Sequence, residues 1–312
     1  MQNAIEFTAL GKRYRQLTAL DNINAVVPQG RVIGLLGHNG AGKSTLIKLI
    51  LGLIAPTSGS VKVLGQSAWG AHANALRQRI GYLPENVAFY GNLTGRELLD
   101  YLAALKRAPR TQVPELLERV GLAAAAGRRI STYSKGMRQR LGLAQALLAS
   151  PELVLLDEPT TGLDPQATRE LYQIVGELRT DGRCVLISSH LLAELEPHID
   201  GALILREGEL LAAGSMLELG QQAALPHRMI VRLKPGIAAS GWASRLPEVA
   251  AGCLVQPDGR LEIQLAQDRK MAVLRELAGD PTVENIELRE PTLVQLYDWL
   301  GAGRRQDHGV QP

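Results

Sequence analysis

A glycine-rich loop between a predicted strand and a predicted helix constrains the fold more than any other feature of this sequence. Val32 to Leu36 form an uninterrupted apolar run, which predicts a buried strand. Ser44 to Leu51 instead repeat apolar residues at helical spacing. The glycines between these segments therefore occupy a strand-to-helix turn of an α/β fold.

The loop matches the pattern G-x-x-x-x-G-K-[ST], whose backbone N–H groups ring a phosphate at the positive end of a helix. In this pattern Lys43 is expected to reach the β and γ phosphates, and Ser44 to ligate Mg²⁺. A glycine-rich turn can also merely cap a strand and a helix, but here the lysine and the hydroxyl both stand in register. We therefore predict a nucleoside triphosphate site formed by Gly37, His38, Asn39, Gly40, Ala41, Gly42, Lys43, Ser44 and Thr45.

A second apolar run, in "LVLLDEPTTGLDP", ends in a pair of carboxylates. Kinases, GTPases and many ATPases share the phosphate loop. The carboxylates that hold Mg²⁺ are therefore needed to distinguish these classes of enzyme. Leu153 to Leu156 predict a short strand that places Asp157 and Glu158 at its end. We expect Asp157 to hold the Mg²⁺ shell and Glu158 to face the γ phosphate as the general base for water.

The segment "STYSKGMRQRLGLAQALLAS" begins with a polar turn and continues as a predicted helix. At this point the chain resembles the ATP-binding cassette (ABC) family, whose signature sequence is usually LSGGQ. Lys135 and Met137 replace the usual glycine and glutamine, and Lys135 adds positive charge near the γ phosphate. The resemblance implies a head-to-tail homodimer in which Ser134 and Gly136 of one subunit complete the ATP and Mg²⁺ site of the other. The match consists of Tyr133, Ser134, Lys135, Gly136 and Met137.

The resemblance covers roughly Ile5 to Leu219 and gives roles to further residues. It implies that Tyr14 stacks on adenine and that His190, after the apolar run "CVLISS", is the switch histidine. It also implies that the D-loop consists of Thr161, Gly162, Leu163 and Asp164. Glu85, in "IGYLPENVAF", stands where the Q-loop usually has glutamine. A carboxylate can ligate or approach Mg²⁺ as an amide oxygen does, but it adds negative charge beside the triphosphate. The predicted catalytic residues are Lys43, Glu85, Glu158 and His190, and the predicted metal ligands are Ser44, Glu85 and Asp157.

The implied fold is a P-loop NTPase of the ABC cassette type over residues 1–220, with a RecA-like core, a β-subdomain and an α-helical subdomain. The helical subdomain is expected over about residues 86–150, where Thr94 and Glu97 fit a capping box. Residues 221–312 follow a β-α-β-β-α-β pattern, which predicts a small ferredoxin-like α+β domain with a final helix and a flexible tail. A structural or dimer-supporting role is the simplest interpretation of this domain. Its predicted strands are Met229 to Leu233, Leu254 to Gln256, Leu261 to Leu265 and Val283 to Leu288, with helices near Trp242 to Leu246 and Arg269 to Ala278.

Composition and charge argue against several other classes. No apolar run reaches the roughly 18 to 20 residues that span a bilayer, and Met1 to Leu10 lack the pattern of a signal peptide. The net charge of +3 is nearly balanced, which gives no support to nucleic-acid binding. Cys184 and Cys253 are far apart and the six histidines lack paired ligand spacing, so neither a disulfide framework nor a zinc site is predicted.

The expected function is that of an ATP-hydrolysing subunit on the cytoplasmic face of the bacterial inner membrane, which powers a separate transmembrane permease. Three segments, "GHNGAGKST", "YSKGMRQRL" and "REPTLVQLYDWL", resemble the exporter branch of the family. Within it, the overall pattern is most similar to the ATPases of nitrous oxide reductase maturation. That resemblance implies a periplasmic accessory partner and a role in assembling a copper-sulfide centre. ATPases that export a drug, lipid or polysaccharide share all of these motifs, and a non-transport ABC ATPase is a further alternative.

Overall fold

A computed structural model of the chain describes residues 3–70, 73–223, 225–237, 253–256, 258–266 and 268–307, with the backbone alone described for 301–307. The chain divides into two compact units, Met1–Ser215 and Met216–Pro312, termed the first and the second unit. Among the helices within the described ranges, none is both long and apolar enough to cross a bilayer.

The first unit is built from two sheets and the helices that cover them. Its strands are β1 (Asn3–Tyr14), β2 (Leu17–Pro28), β3 (Val32–Leu36), β4 (Ser58–Val63), β5 (Gln66–Ser67), β6 (Ile80–Leu83), β7 (Leu153–Asp157), β8 (Cys184–Ser189), β9 (Gly201–Arg206) and β10 (Glu209–Ser215). Its helices are α1 (Lys43–Ile50), α2 (Ala73–Gln78), α3 (Gly95–Lys106), α4 (Gln112–Arg119), α5 (Lys135–Leu147), α6 (Pro165–Thr180) and α7 (Leu192–Leu195). Short 3-10 turns lie at Ala123–Ala125, Ile130–Thr132 and Glu196–His198.

The central sheet has the strand order β10-β9-β3-β8-β7-β6, and only the β9–β10 pair in it is antiparallel. Strands β3, β7 and β8 are buried along their whole length, as expected for parallel strands covered on both faces. The phosphate loop follows β3, the carboxylate pair lies at the end of β7, and His190 follows β8. Because ligands of such sheets bind at the carboxyl ends of the strands, this edge is where a site is expected.

The second sheet of this unit is antiparallel, with the order β2-β1-β4-β5. Its inward side chains join those of the central sheet and of α1 in one buried apolar cluster. The cluster includes Ile5 and Leu20 from the antiparallel sheet, and Leu46 and Ile50 from α1. This shared core holds Tyr14, at the end of β1, near the phosphate loop.

The helical region begins at the predicted capping box. The Thr94 hydroxyl accepts a hydrogen bond from the Glu97 N–H, and the Glu97 carboxylate accepts one from the Thr94 N–H, which confirms the prediction. The Thr94 N–H and the Thr94 hydroxyl both donate to the Glu97 carboxylate, and these two bonds lower the pKa of Glu97 below its usual value. Further along, Arg119 of α4 pairs with Glu177 of α6 at 2.7 Å, which ties the helical region to the core.

The second unit contains one antiparallel sheet of order β12-β13-β11-β14, formed by β11 (His227–Leu233), β12 (Cys253–Val255), β13 (Leu261–Leu265) and β14 (Val283–Arg289). This order is the one in which the strands of a ferredoxin-like β-α-β-β-α-β fold pair. Strands β12 and β13 pair as antiparallel neighbours. The first predicted helix, near Trp242 to Leu246, lies outside the described residues, as do residues 308–312 of the predicted tail. The helices among the described residues of the unit are α8 (Met216–Gln222), α9 (Lys270–Gly279) and α10 (Leu293–Asp307).

The predicted and observed elements differ mainly at their ends. The prediction for β3 matches residue for residue, whereas β11 begins at His227, two residues before the predicted Met229. The apolar side chains of β11 alternate with exposed arginines, and their core extends to α9. His227 continues this buried face of the strand, and a histidine gives a weaker apolar signal in the sequence than the valine and methionine after it.

Candidate functional site

The phosphate loop needs glycine at two positions because other backbone segments approach it closely. A Cβ atom on Gly37 would lie 2.5 Å from the Leu205 carbonyl oxygen, and one on Gly42 would lie 2.8 Å from the Ala19 oxygen. Gly42 also has a φ of 106°, which side chains disfavour. It is the N-cap of α1, and no side chain caps the first N–H groups of that helix. Those groups are therefore available to an anion.

The Lys43 side chain is folded back into this loop and is only 6% exposed. Its Nζ atom donates to the Gly37 carbonyl oxygen at 2.6 Å and to the His38 carbonyl oxygen at 3.4 Å. The same ammonium lies 3.4 Å from Oε1 of Glu158. A cation held among carbonyls and a carboxylate is positioned to move onto a phosphate that enters the loop.

A buried serine, Ser188, links the Asp157 carboxylate at the end of β7 to the backbone N–H of Glu158. Ser188 lies directly opposite Asp157 in the parallel β7–β8 pair. Its hydroxyl donates to Oδ1 of Asp157 at 2.7 Å and accepts from the Glu158 N–H at 2.8 Å. Burial raises the pKa of Asp157 above its usual value, and the Ser188 hydrogen bond opposes this shift. The neighbouring carboxylates of Glu85 and Glu158 raise it further.

Glu158 has the geometry of a general base held by a histidine. Its Oε2 atom lies 2.7 Å from Nδ1 of His190, while its buried Oε1 atom makes no hydrogen bond with the described residues. The Glu158 backbone has a φ of 47°, a left-handed conformation that costs a non-glycine residue about 1–2 kcal/mol. Strain of this kind is concentrated at functional sites.

These side chains surround an open pocket of about 540 Å³. Three lining residues from the start of β2, Leu17, Thr18 and Ala19, were not identified from the sequence, because nothing in its local pattern marks them. Ser188 was also missed, although it lies only two positions before His190. The pocket is lined by Tyr14, Leu17, Thr18, Ala19, His38, Asn39, Gly40, Gly42, Lys43, Ser44, Thr45, Glu85, Asp157, Glu158, Thr161 and His190.

Some predicted site residues do not line this pocket. Gly37 and Ala41 belong to the phosphate loop but do not line the pocket, and Ala41 is buried. Ser134 instead caps α5 by accepting a hydrogen bond from the Met137 N–H at 3.1 Å. Asp164 caps α6 by accepting one from the Ala167 N–H at 2.8 Å. Gly136 packs against the D-loop, where a Cβ atom built on it would lie 3.6 Å from Leu163.

The pocket offers oxygen donors suited to Mg²⁺. The Ser44 hydroxyl and the carboxylates of Asp157 and Glu85 all line it. Within the described ranges, no group of three or more histidine, cysteine, aspartate or glutamate side chains has the geometry of a metal site. Mg²⁺ is commonly held by one or two carboxylates together with substrate phosphates. The donor set therefore fits a metal ion that arrives with a nucleotide.

Tyr14 stands at the rim of the pocket and is 42% exposed. The Lys12 ammonium lies 5.0 Å from the centre of its ring and also donates to the Ala55 carbonyl oxygen at 2.8 Å. This cation orients the ring, because ammonium groups are attracted to aromatic faces. An exposed, oriented ring beside a phosphate loop can receive the base of a nucleotide.

Comparisons with known proteins agree with this geometry. The family model described as "ABC transporter" matches residues 20–161. The daunorubicin resistance ATP-binding protein DrrA3 of Streptomyces coeruleorubidus is 35% identical over 302 residues, which is 94% of each chain. An uncharacterized ABC transporter ATP-binding protein of Nostoc sp., all4389, is 44% identical over 66% of this chain, which spans only 62% of that relative. A solved structure of an ABC transporter ATP-binding subunit superposes with a TM-score of 0.65 at 32% identity, and covers 70% of this chain and 92% of that one.

Proposed function

Because the chain belongs to the ABC transporter family, we propose that it is the ATP-hydrolysing subunit of a transporter and that it powers a separate membrane permease. The observation that supports hydrolysis most directly is the state of Glu158. One of its carboxylate oxygens is held by His190, and the other is buried and makes no hydrogen bond within the described residues. Oε1 also lies 3.4 Å from the Lys43 ammonium, so once that ammonium binds a phosphate this oxygen is suited to accept a proton from water.

Some residues of the pocket bind the nucleotide and Mg²⁺, and others transfer the proton. Lys43 and the first N–H groups of α1 hold the phosphates, and Ser44 and Asp157 hold Mg²⁺. Mg²⁺, when bound, neutralises charge on the phosphate oxygens. Glu158 accepts the proton of the attacking water at Oε1. His190 donates from Nδ1 to Oε2, because a carboxylate can only accept, and so keeps Oε1 turned toward the water.

We further propose that the working form is a head-to-tail homodimer. The pocket is open, and Ser134 and Gly136, which the family resemblance assigns to the phosphate site, do not line it in their own chain. The Ser134 hydroxyl accepts a hydrogen bond from the Met137 N–H of its own helix. Its O–H group can still donate a hydrogen bond to a phosphate of the other subunit's site. A second subunit can therefore supply the signature residues, with the permease bound to the same dimer at the cytoplasmic face of the membrane.

The cargo proposed first is a small molecule that is exported. DrrA3 is named for daunorubicin resistance, and its similarity to this chain extends over both units. The narrower hypothesis, maturation of the copper-sulfide centre of nitrous oxide reductase with a periplasmic partner, rests on the pattern of the three exporter-like segments. Both hypotheses give the second unit a supporting role beside the cassette, over about residues 221–312.

The substitution Glu158→Gln tests the ATPase proposal. An amide cannot accept the proton of water, so we expect steady-state hydrolysis to be lost while Lys43 and Ser44 still bind ATP. Calorimetric binding and phosphate release, measured on the same preparation, separate these two effects. Turnover near that of the unsubstituted protein would remove Glu158 from the role of base.

A mixture of two variants tests the shared site. In a dimer of one Gly136→Asp subunit and one Glu158→Gln subunit, both substitutions fall on the same nucleotide site, because each site takes its signature from the opposite chain. The second site is then intact, so we expect trapped nucleotide at one site only. Two equally defective sites would contradict a head-to-tail arrangement.

Co-purification and deletion together separate the two cargo hypotheses. We expect the tagged chain to bring down a membrane permease, whose neighbouring genes indicate the class of cargo. If the maturation hypothesis holds, deletion in the native host leaves nitrous oxide reductase exported but without its copper-sulfide centre. A reductase with a normal copper spectrum in the deletion strain contradicts that hypothesis and leaves the export hypothesis in place.

A further inference from the structure

The side chains that line the pocket include more carboxylates than lysine or arginine side chains. Among the described residues that line it, Lys43 is the only lysine or arginine. Three carboxylates, those of Glu85, Asp157 and Glu158, line the same space. A nucleoside triphosphate adds further negative charge, and Mg²⁺ offsets only part of it. A cation from outside the lining would therefore lower the repulsion between these carboxylates and the triphosphate.

Glu85 is the carboxylate that creates the excess. Asp157 and Glu158 are both tied into the site, the first by Ser188 and the second by His190. For Glu85, by contrast, the described contacts include no ion pair, and the family pattern has a neutral glutamine at this position. Its negative charge is thus an addition to the usual arrangement that the chain itself does not balance.

Lys135 is a cation for which the described residues provide no carboxylate partner. It is the first residue of α5, directly after the cap residue Ser134, and its side chain is exposed. The aliphatic part lies across the D-loop, where a Cβ atom on Gly162 would be 2.7 Å from Lys135 Cδ. Within the described residues its ammonium forms no ion pair, and the family pattern has glycine at this position. In the head-to-tail dimer proposed above, this exposed charge at the start of α5 would face the partner subunit.

We propose that Lys135 of one subunit neutralises Glu85 of the other, so that the two unusual residues form one charge-balanced pair at each nucleotide site. This inference rests on the head-to-tail dimer proposed above, because Lys135 does not line the pocket of its own chain. The pair makes Lys135 a positioning residue that offsets the repulsion between Glu85 and the triphosphate. Closure of the dimer around ATP then depends on both residues together.

A double-mutant cycle tests the pair. The measured quantity is the association constant of the dimer in the presence of Mg²⁺ and a non-hydrolysable ATP analogue, obtained by sedimentation. We expect Lys135→Ala to weaken association about tenfold in the unsubstituted chain but less than about twofold in the Glu85→Gln background, since contacting residues couple at this level. Lys135→Arg keeps the charge and should leave association near its original value. Lys62→Ala, which removes an exposed lysine of β4, is the matched control and should also have no effect.

A mixing experiment shows whether the pair forms between subunits. A dimer of one Lys135→Ala chain and one Glu85→Gln chain contains one unsubstituted site and one site with both substitutions, so every site is balanced. We therefore expect the mixture to associate about as well as the unsubstituted protein, unlike Lys135→Ala alone. A pair within one chain would leave Glu85 unbalanced in the Lys135→Ala chain of the mixed dimer, so the mixture would keep about half of the free-energy loss of the Lys135→Ala homodimer. This result would overturn the proposal.

Two further outcomes separate this inference from the function on which it rests. An equal loss from Lys135→Ala in both backgrounds would overturn the pairing and leave the head-to-tail dimer standing. If the unsubstituted chain itself shows no nucleotide-driven association, both the pairing and the dimer are wrong.

Discussion

His190 and Glu158 are joined by a contact of 2.7 Å between Nδ1 and Oε2, although they follow different strands of the central sheet. The histidine follows β8 and the glutamate follows β7, and these strands are hydrogen-bonded neighbours. The contact uses one carboxylate oxygen and leaves the other without a hydrogen bond. The orientation of Glu158 is therefore set by a residue that the sheet brings beside it.

Replacement of His190 by alanine should lower kcat by about a hundredfold, in the range found when one component of acid–base catalysis is removed. The physical reason is that Glu158 loses the donor that orients it. Nucleotide affinity should change little, because Lys43 and the α1 N–H groups remain. Steady-state hydrolysis and calorimetry measure the two quantities, and His198→Ala, outside the pocket, is the control. Unchanged turnover in His190→Ala would show that the contact has no role in catalysis.

The substitution Ser188→Ala should lower both stability and turnover. It leaves the Glu158 N–H and Asp157 without their buried partner, which costs about 1–3 kcal/mol in the free energy of unfolding. The matched control is Ser189→Ala, because Ser189 is also buried and accepts one bond, from the Leu191 N–H, but touches neither carboxylate. Denaturant unfolding should show losses in both variants, whereas kcat should fall only for Ser188→Ala. Equal kcat values in the two variants would contradict this assignment.

Replacement of Tyr14 by leucine should weaken nucleotide binding about tenfold, as expected for the loss of one aromatic stacking partner. Every base has a stacking face, so the loss should be the same for ATP and GTP. Tyr14→Phe keeps the ring and should bind normally. Fluorescence titration with both nucleotides measures the effect, and a loss confined to ATP would point to recognition of the base edge instead.

Acid should weaken the second unit through His227, which is 7% exposed and whose Nδ1 atom is buried without a hydrogen bond. Burial lowers the pKa of His227; the Lys270 ammonium lowers it further, and the Glu290 carboxylate opposes the shift. The unfolded chain takes up this proton near pH 6.5, and the folded chain only at lower pH. The free energy of unfolding should therefore decrease as the pH falls below about 6.5.

The variant His227→Gln removes this titration. Its loss of stability between about pH 7.5 and pH 5.5 should be smaller than that of the unsubstituted protein, as measured by denaturant unfolding at each pH. Above about pH 7 the two proteins should show no difference in the slope of stability with pH. The same dependence on pH in both proteins would contradict a role for His227.

The parts of the site that the sequence predicts are those whose chemistry is local. The strand β3, the glycine loop and the start of α1 follow one another directly, and their spacing carries the phosphate-binding geometry. Asp157 and Glu158 likewise follow the apolar run of β7. Each of these predictions needs only a run of neighbouring residues, and the structure brings all of them to one edge of the sheet.

The parts that the sequence does not predict depend on register between distant segments. Ser188 reaches Asp157 because β7 and β8 pair with these two residues opposite each other. Thr18 reaches the pocket because the antiparallel sheet packs on α1 through a shared core. No local pattern encodes either relationship. The left-handed backbone of Glu158 is also invisible in the sequence, since glutamate does not favour it.

Because of the left-handed backbone of Glu158, substitutions that increase stability at this position are expected to abolish turnover. Glycine adopts a φ of 47° without steric penalty, and asparagine tolerates it better than glutamate does. A library screened only for resistance to heat should therefore enrich glycine or asparagine in place of Glu158, and the recovered proteins should be stable but inactive. Such a screen would therefore select against the residue that we propose as the base for hydrolysis.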